Sequence, residues 1–232
     1  MKEILTIIIP CKNESSYILE TLEGVGRQNG VDGVRVLVLD GGSTDDTVLL
    51  VEEYSKASNL NISVLSGGTV SVGRNNGARA AETEFILFLD ADAVMLDGEC
   101  LKMAVQSAVH HNLITCKIKC TSNDWLGDFM FKVFNLFQQI IPETFSTGVF
   151  MFLRKKTFDE LGGFDETLHQ SEDYFFSRKV PKKKFKILDK YVGQDNRRFK
   201  RTGYFGMMKM LFVNLLNRNN IKHFQKDIGY WN

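Results

Sequence analysis

The stretch FILFLDADAV, Phe85 to Val94, carries five apolar residues straight into Asp90, with Asp92 one alanine further on. Two carboxylates at the end of a buried run are costly, because an unpaired charge beside a core costs several kcal/mol in effective terms. A cation is therefore expected to meet them. Carboxylates two apart at a strand terminus can supply oxygen ligands to a hard divalent ion, Mg2+ or Mn2+. The alternative is a pair of capping aspartates at a strand–loop junction. Two other apolar runs end in the same manner: ILTIIIP (4–10) leads to Asn13 and Glu14, and VRVLVLD (34–40) closes on Asp40.

These groups converge only if the runs lie side by side. Helical patterns separate them, at 15–28, at 43–58 with Ser43 or Thr44 as cap, and at 72–82. NISVLS (61–66), a helix over 97–111 and LITCKIKC (113–120) continue the alternation. Apolar strands separated by helices predict an α/β fold, a Rossmann-like, mostly parallel sheet with helices on both faces. Ligands of such sheets bind at the carboxyl ends of the strands, where Asn13, Glu14, Asp40, Asp90 and Asp92 fall. Beyond 120 the pattern changes to a helix at 125–141 and a strand, short helix and Gly-Gly turn over 146–166. A helix at 170–180, with Glu172 and Asp173 in its first turn, a strand at 184–194 and an apolar tail helix at 203–217 follow. Three parts are expected: a half whose strand ends carry the rim carboxylates (1–120), a second half of the same domain (121–195), and a basic amphipathic tail (196–232).

At 232 residues, 44% hydrophobic and 25% charged, the composition is that of a globular protein, with Phe unusually frequent at 18. The opening MKEILTIIIPCKNE turns polar after ten residues, unlike a signal peptide. No apolar run approaches the ~20 residues of a membrane span. Cys11, Cys100, Cys116 and Cys120 form no secreted disulfide pattern, which points to a reducing cytoplasm. A zinc site from His110, His111, Cys116 and Cys120 lacks the usual spacing, so buried thiols are expected. The net charge of +1 hides an asymmetry: residues 178–232 hold 15 Lys and Arg against 3 Asp and Glu. Such a segment suits an anionic partner.

In combination, IIIPCKNE, LDGGSTDDT, GRNNGARAAETEFILFLDADA, GGFDE and the downstream Glu-Asp pair resemble the family 2 glycosyltransferases, inverting enzymes of the GT-A fold, over roughly residues 3–195. The resemblance implies transfer of a sugar from a nucleotide-sugar donor, usually with a divalent metal, Mn or Mg. It assigns the metal contact mainly to Asp92 and places Asp90 nearer the ribose or sugar. Pro10, Asn13, Glu14, Asp40, Gly41 and Gly42 would line the nucleotide pocket. Glu14 can accept from ribose hydroxyls, and Asp40 from the imide of a uracil or the edge of a guanine, with UDP favoured over GDP. Arg74 falls where the family often has an arginine near the nucleotide or diphosphate, the alternative being a solvated helix residue. Asp173 falls on the general base, with Glu172 beside it as a second catalytic candidate or a helix-dipole partner. His169 is read as a surface histidine.

The departures limit the assignment. Processive members carry Gln-x-x-Arg-Trp and membrane helices, whereas this chain has QDNRRF (194–199) and no span. A single-sugar transfer fits better, with Arg197 and Arg198 reaching the donor diphosphate. A nucleotidyltransferase or a dinucleotide oxidoreductase would need glycines where PCKNESS stands. A non-catalytic nucleotide-sugar or membrane-surface binding module remains as the alternative. In the tail, Met, Phe and Leu interleave with basic residues, which favours an anionic membrane over nucleic acid. As a helix, YFGMMKMLFVNLL (204–216) reaches only about 20 Å, short of the ~30 Å hydrocarbon core. It would lie in the interface or pack on the domain. A saccharide or lipid-linked acceptor is implied, with the enzyme peripheral on the cytoplasmic face.

Overall fold

The computed structural model describes residues 4–29 and 34–227. Strand β1 (Leu5–Cys11) is central, and all seven of its residues are buried. It is flanked in parallel by β2 (Val34–Asp40) and β4 (Phe85–Phe88). Burial on both faces explains why these strands read as continuous apolar runs rather than alternating ones. The register sets Cys11 opposite Asp40 and Ile8 opposite Phe88, so the chain leaves all three strands on the same edge.

Strand β3 (Asn61–Ser66) extends the parallel part beyond β2. On the other side, β7 (Met151–Arg154) pairs antiparallel with β4 and with β6 (Leu113–Cys120). A long strand, β8 (Phe185–Gln194), runs parallel to β6. The short β5 (Ala93–Met95), which the sequence pattern did not suggest, forms the far edge by antiparallel pairing with β8. The order among the described residues is β3-β2-β1-β4-β7-β6-β8-β5. The Asp90–Asp92 turn thus carries the chain from the middle of the sheet to its edge. There Ala93 faces Gln194, three residues before Arg197.

Helices cover both faces: α1 (Ile18–Gly26), α2 (Thr47–Ala57), α3 (Val70–Ala80), α4 (Cys100–Ser107) and α5 (Trp125–Ile140). Short helices α6 (Lys155–Glu160) and α7 (Glu172–Ser177) follow β7, and α8 (Arg197–Thr202), α9 (Tyr204–Leu216) and α10 (Ile221–Phe224) form the tail. The abundance of Phe has a place in this arrangement. Phe88, Phe158, Phe164 and Phe176 pack with ring centroids 4.6–5.9 Å apart, joining β4 to α6 and α7. All four cysteines are buried free thiols.

Several helices start later than their patterns predicted. Ser43 and Thr44 do not cap α2. The Ser43 hydroxyl accepts from the Asn13 amide at 2.9 Å, and the Thr44 amide donates to Asn13 Oδ1 at 2.8 Å. The helix instead begins at Thr47, whose hydroxyl donates to Asp45 Oδ1 at 2.5 Å. Helix α1 likewise begins at Ile18 rather than 15, and α4 spans less than the expected 97–111.

Candidate active site

The turn after β4 presents its two aspartates to two different arginines. Arg74, on α3, is buried at 1% side-chain exposure. Its Nη2 donates to Asp90 Oδ1 at 2.7 Å and its Nη1 to Glu172 Oε1 at 2.6 Å. The guanidinium also lies 5.3 Å over the Phe164 ring. Burial alone would lower its pKa, but Asp90, Glu172 and Asp173 more than offset this and raise it. Arg74 is therefore a permanent cation inside the fold.

Asp92 meets the other arginine. Arg197 Nη2 donates to Asp92 Oδ2 at 3.1 Å and to Glu14 Oε1 at 2.6 Å. Its guanidinium lies 4.4 Å over the Tyr17 ring, and its backbone amide donates to Asp195 Oδ1 at 2.6 Å. Gln194 Nε2 reaches Asp92 Oδ1 at 3.4 Å. Burial, followed by the neighbouring Asp90, pushes the Asp92 carboxyl above its usual range. Burial also raises Glu14. The cations that answer the two aspartates in this structure are thus guanidinium groups.

Asp173 is held differently from its neighbour. Glu172, at 2% exposure, takes Arg74, whereas among the described residues Asp173 accepts only from backbone amides, Gly148 N at 3.1 Å and the following Tyr174 N at 2.7 Å. Burial and then the charge of Glu172 push its carboxyl up to about 7, against the opposing pull of Arg74. Such a group changes protonation near neutrality, as a general base must. Backbone strain accompanies both acidic sites: Ser171, before Glu172, has φ 59°, and Asn13, before Glu14, has φ 56°. Non-glycine residues rarely adopt this region and cluster at functional sites when they do.

Gly148 is fixed by the same cluster. A Cβ there would lie 1.8 Å from Arg74 Nη2 and 2.9 Å from Asp90 Oδ1, so no side chain fits without displacing the arginine. Gly41 is constrained by backbone instead, with an added Cβ 2.6 Å from the Gly68 carbonyl.

The structure gives each expected site residue its neighbours. Both terminal nitrogens of Arg74 are engaged by Asp90 and Glu172. Glu172 is its buried ion-pair partner. Asn13 is exposed and uses Oδ1 to hold the 43–44 loop. Asp40 accepts from the amides of Gly42 and Ser43 at 3.1 Å, shaping the turn. Pro10 packs toward Gly73 of α3. His169 is exposed, and its amide donates to the Phe224 carbonyl. Arg198 sits on α8, where its charge acts on Asp92. Tyr17 and Gly148 were not singled out in the sequence, and Gln194 entered only as the first residue of QDNRRF. Gly148 carried a signal, a glycine entering a strand, whereas Tyr17 carried none.

The donor set suits a hard cation. Asp92 and Asp90 offer carboxylate oxygens, and Glu14 Oε2 is buried without a hydrogen-bond partner among the described residues. No cluster of three His, Cys, Asp or Glu side chains forms a cage among those residues. In Mg2+-type sites one or two carboxylates share the ion with substrate phosphates.

The model of glycosyl transferase family 2 matches residues 6–162, about two thirds of the chain. This chain belongs to that family. Poly(ribitol-phosphate) beta-N-acetylglucosaminyltransferase TarS of Staphylococcus aureus is 31% identical over 185 residues, which cover 75% of this chain and 32% of TarS. The chain thus spans about a third of the length of that relative. The crystal structure of S. aureus TarS 1–349 in complex with UDP-GlcNAc matches with a TM-score of 0.65 and 26% identity, over 85% of this chain and 59% of that one. The mannosyltransferase PcManGT from Pyrobaculum calidifontis, in complex with GDP-Man and Mn2+, shares the fold at TM-score 0.65 and 19% identity, over 84% of this chain and 57% of its own. The family 2 member has the GT-A architecture expected from its motifs.

Proposed function

We propose that this chain is an inverting glycosyltransferase that moves a single sugar from a UDP-sugar to an acceptor hydroxyl, with Asp173 as the general base. One observation carries the reading: Glu172 occupies Arg74, which leaves Asp173 held by backbone amides alone, with a carboxyl at about 7. Deprotonated Asp173 takes the acceptor proton as the acceptor oxygen attacks the anomeric carbon. The bond to the diphosphate breaks, and UDP departs. Such a base is worth ~10²–10⁴-fold in rate. Glu14 accepts from the ribose, and Asp40 with the turn at Gly41 and Gly42 faces the base. Asp92, with Asp90 beside it, would hold Mn2+ or Mg2+. When bound, such an ion supplies charge neutralisation to the departing diphosphate.

The acceptor we read as lipid-linked, with the enzyme peripheral on the inner face of a membrane. Helix α9 exposes Phe205, Met208, Phe212 and Leu216, and α5 exposes Trp125, Phe129, Leu136 and Ile140. Tyr204 and Asp124 join the two helices at one end, and Arg218 and Glu143 join the segments beyond them at 3.6 Å. Lys200, Arg201 and Lys209 are exposed nearby. No helix among the described residues is long and apolar enough to cross a membrane.

A donor screen over UDP-, GDP- and dTDP-sugars, with the anomeric configuration of the product read by NMR, tests the reaction. Turnover with a UDP-sugar and inversion are expected. Asp173→Asn should lower transfer ~10²-fold or more while UDP affinity holds. Near-normal turnover in that variant would move the base elsewhere.

A further inference from the structure

The tail places a guanidinium on the oxygens that the donor site needs. Arg197 Nη2 bridges Glu14 Oε1 at 2.6 Å and Asp92 Oδ2 at 3.1 Å, the side chains assigned above to the ribose and the metal. A divalent ion on Asp92 would bring two cations to one carboxylate. Their repulsion makes each arrangement weaken the other. The guanidinium is also free to leave: Arg197 is 39% exposed, where Arg74 is 1% exposed. The backbone beneath it is pinned. Its amide is held by Asp195, and Asn196 Nδ2 donates to Asp124 Oδ2 at 2.5 Å. A long side chain on a fixed base can swing without moving the helix. A planar guanidinium that pairs with carboxylates also pairs with phosphate oxygens in the same two-pronged way.

We propose that Arg197 is an exchangeable counter-ion, which neutralises Glu14 and Asp92 until donor and metal arrive together and then passes to the donor diphosphate. Metal binding thereby becomes conditional on the donor. Mn2+ alone must displace the arginine with nothing to receive it, whereas Mn2+ with a nucleoside diphosphate offers the arginine a new partner. The inference rests on the metal assignment to Asp92 made above. It adds that a residue expected only to help the donor also holds the bare metal off.

Removing the arginine should therefore move two affinities in opposite directions. In the full chain, Mn2+ binding is followed by the loss of the free-ion EPR signal, and UDP binding by calorimetry with Mn2+ present. Arg197→Gln is expected to tighten Mn2+ alone by about tenfold and weaken UDP by about tenfold, each near 1.4 kcal/mol. Arg197→Lys, a point charge that bridges two carboxylates poorly, should fall between wild type and Arg197→Gln on both axes. Asp92→Asn added to Arg197→Gln should abolish the gain in Mn2+ affinity. Circular dichroism melts check that each variant is folded. Equal Mn2+ affinity in wild type and Arg197→Gln would overturn the exchange. A gain for Mn2+ without a loss for UDP would overturn its diphosphate half. Absence of Mn2+ binding in both proteins, with UDP binding indifferent to EDTA, would overturn both the exchange and the metal role of Asp92. The proposal for Asp173 would stand or fall on its own assay.

Discussion

Arg74 reaches Asp90 from α3, inside the layer between helix and sheet, and shares its second nitrogen with a carboxylate 98 residues away. Arg197 reaches Asp92 from the tail, across an open rim, with Tyr17 beneath it and solvent beside it. The same residue type meets the same turn in two physical settings. In the first, Arg74 and Glu172 have both left water while Asp90 keeps 23% exposure, and the cluster persists because the buried cation has carboxylates at short range. In the second, the carboxylates are largely buried but the guanidinium remains partly hydrated, so it can exchange partners at less cost than Arg74 can. The α3 side is thus built to stay, and the tail side to change partners.

The comparison breaks most sharply at Gly148 and Arg74. Arg74→Met leaves Glu172 buried without its cation, and removal of one partner of a buried pair costs about 3–5 kcal/mol. For a chain of this size that corresponds to a Tm lowered by about 10 °C. Gly148→Ala should approach the same loss, because its Cβ would lie 1.8 Å from the guanidinium. Adding Glu172→Gln to Arg74→Met should recover part of the stability, since the orphaned charge is then gone. Urea titration measures all three. A loss below about 1 kcal/mol for Arg74→Met would place it with the exposed pairs and remove the distinction.

The next effect belongs to Asp173, which sits on the fixed side but, as the proposed base, exchanges a proton. Its carboxyl, raised to about 7 by burial and then Glu172, is active only when ionised. The rate at low substrate should rise about tenfold per pH unit below 7 and level off above it. Stability should run the opposite way. The folded chain holds this proton between the ordinary value of 3.8 and about 7, where the unfolded chain has lost it. Stability therefore falls as pH rises through that window. Asp173→Asn should melt higher than wild type at pH 8 and level with it near pH 3. An Asp173→Asn advantage that is equal at both pH values would mean the carboxyl is not perturbed.

Much of this was legible in the chain because it is local. Apolar runs gave the strands, the parallel register followed from their burial on both faces, and Asp90, Asp92 and Asp173 could be read off short motifs. What was not legible joins distant residues. Arg197 pairs with Asp92 across 105 positions and with Glu14 across 183. No spacing encodes this; it follows from β5 crossing to the sheet edge and setting Ala93 against Gln194. Ser43 was misread as a helix cap for a related reason. A hydroxyl before an apolar run suits a helix start equally well as a loop clasp, and Asn13, 30 residues earlier, decided the matter. The resemblance put the base on Asp173, but the residues of the sequence alone offered no physical reason to prefer it to Glu172 as an acceptor of the proton. Only the direction of Arg74 separates them.

The smallest effects on stability belong to the tail, and there the comparison can be sharpened by what does not change. Phe205 is 84% exposed and Phe212 61% exposed, so neither contributes much to the packed domain. Phe205→Ser with Phe212→Ser should leave unfolding free energy within about 0.5 kcal/mol of wild type, as for other surface substitutions. If α9 lies on a membrane, the same pair should weaken co-sedimentation with anionic vesicles. Burial of a large apolar side chain contributes about 1.5–3 kcal/mol, and each basic residue near an anionic surface on the order of 1 kcal/mol. Binding of the full chain should also fall with salt, since the basic contribution is screened over a Debye length of about 10 Å at 0.1 M. A stability loss of 2 kcal/mol or more in the double variant, with vesicle binding unchanged, would show that α9 packs as part of the domain. The tail would then be as fixed as the α3 side, and the freedom of Arg197 would rest on the exposure of its own side chain alone.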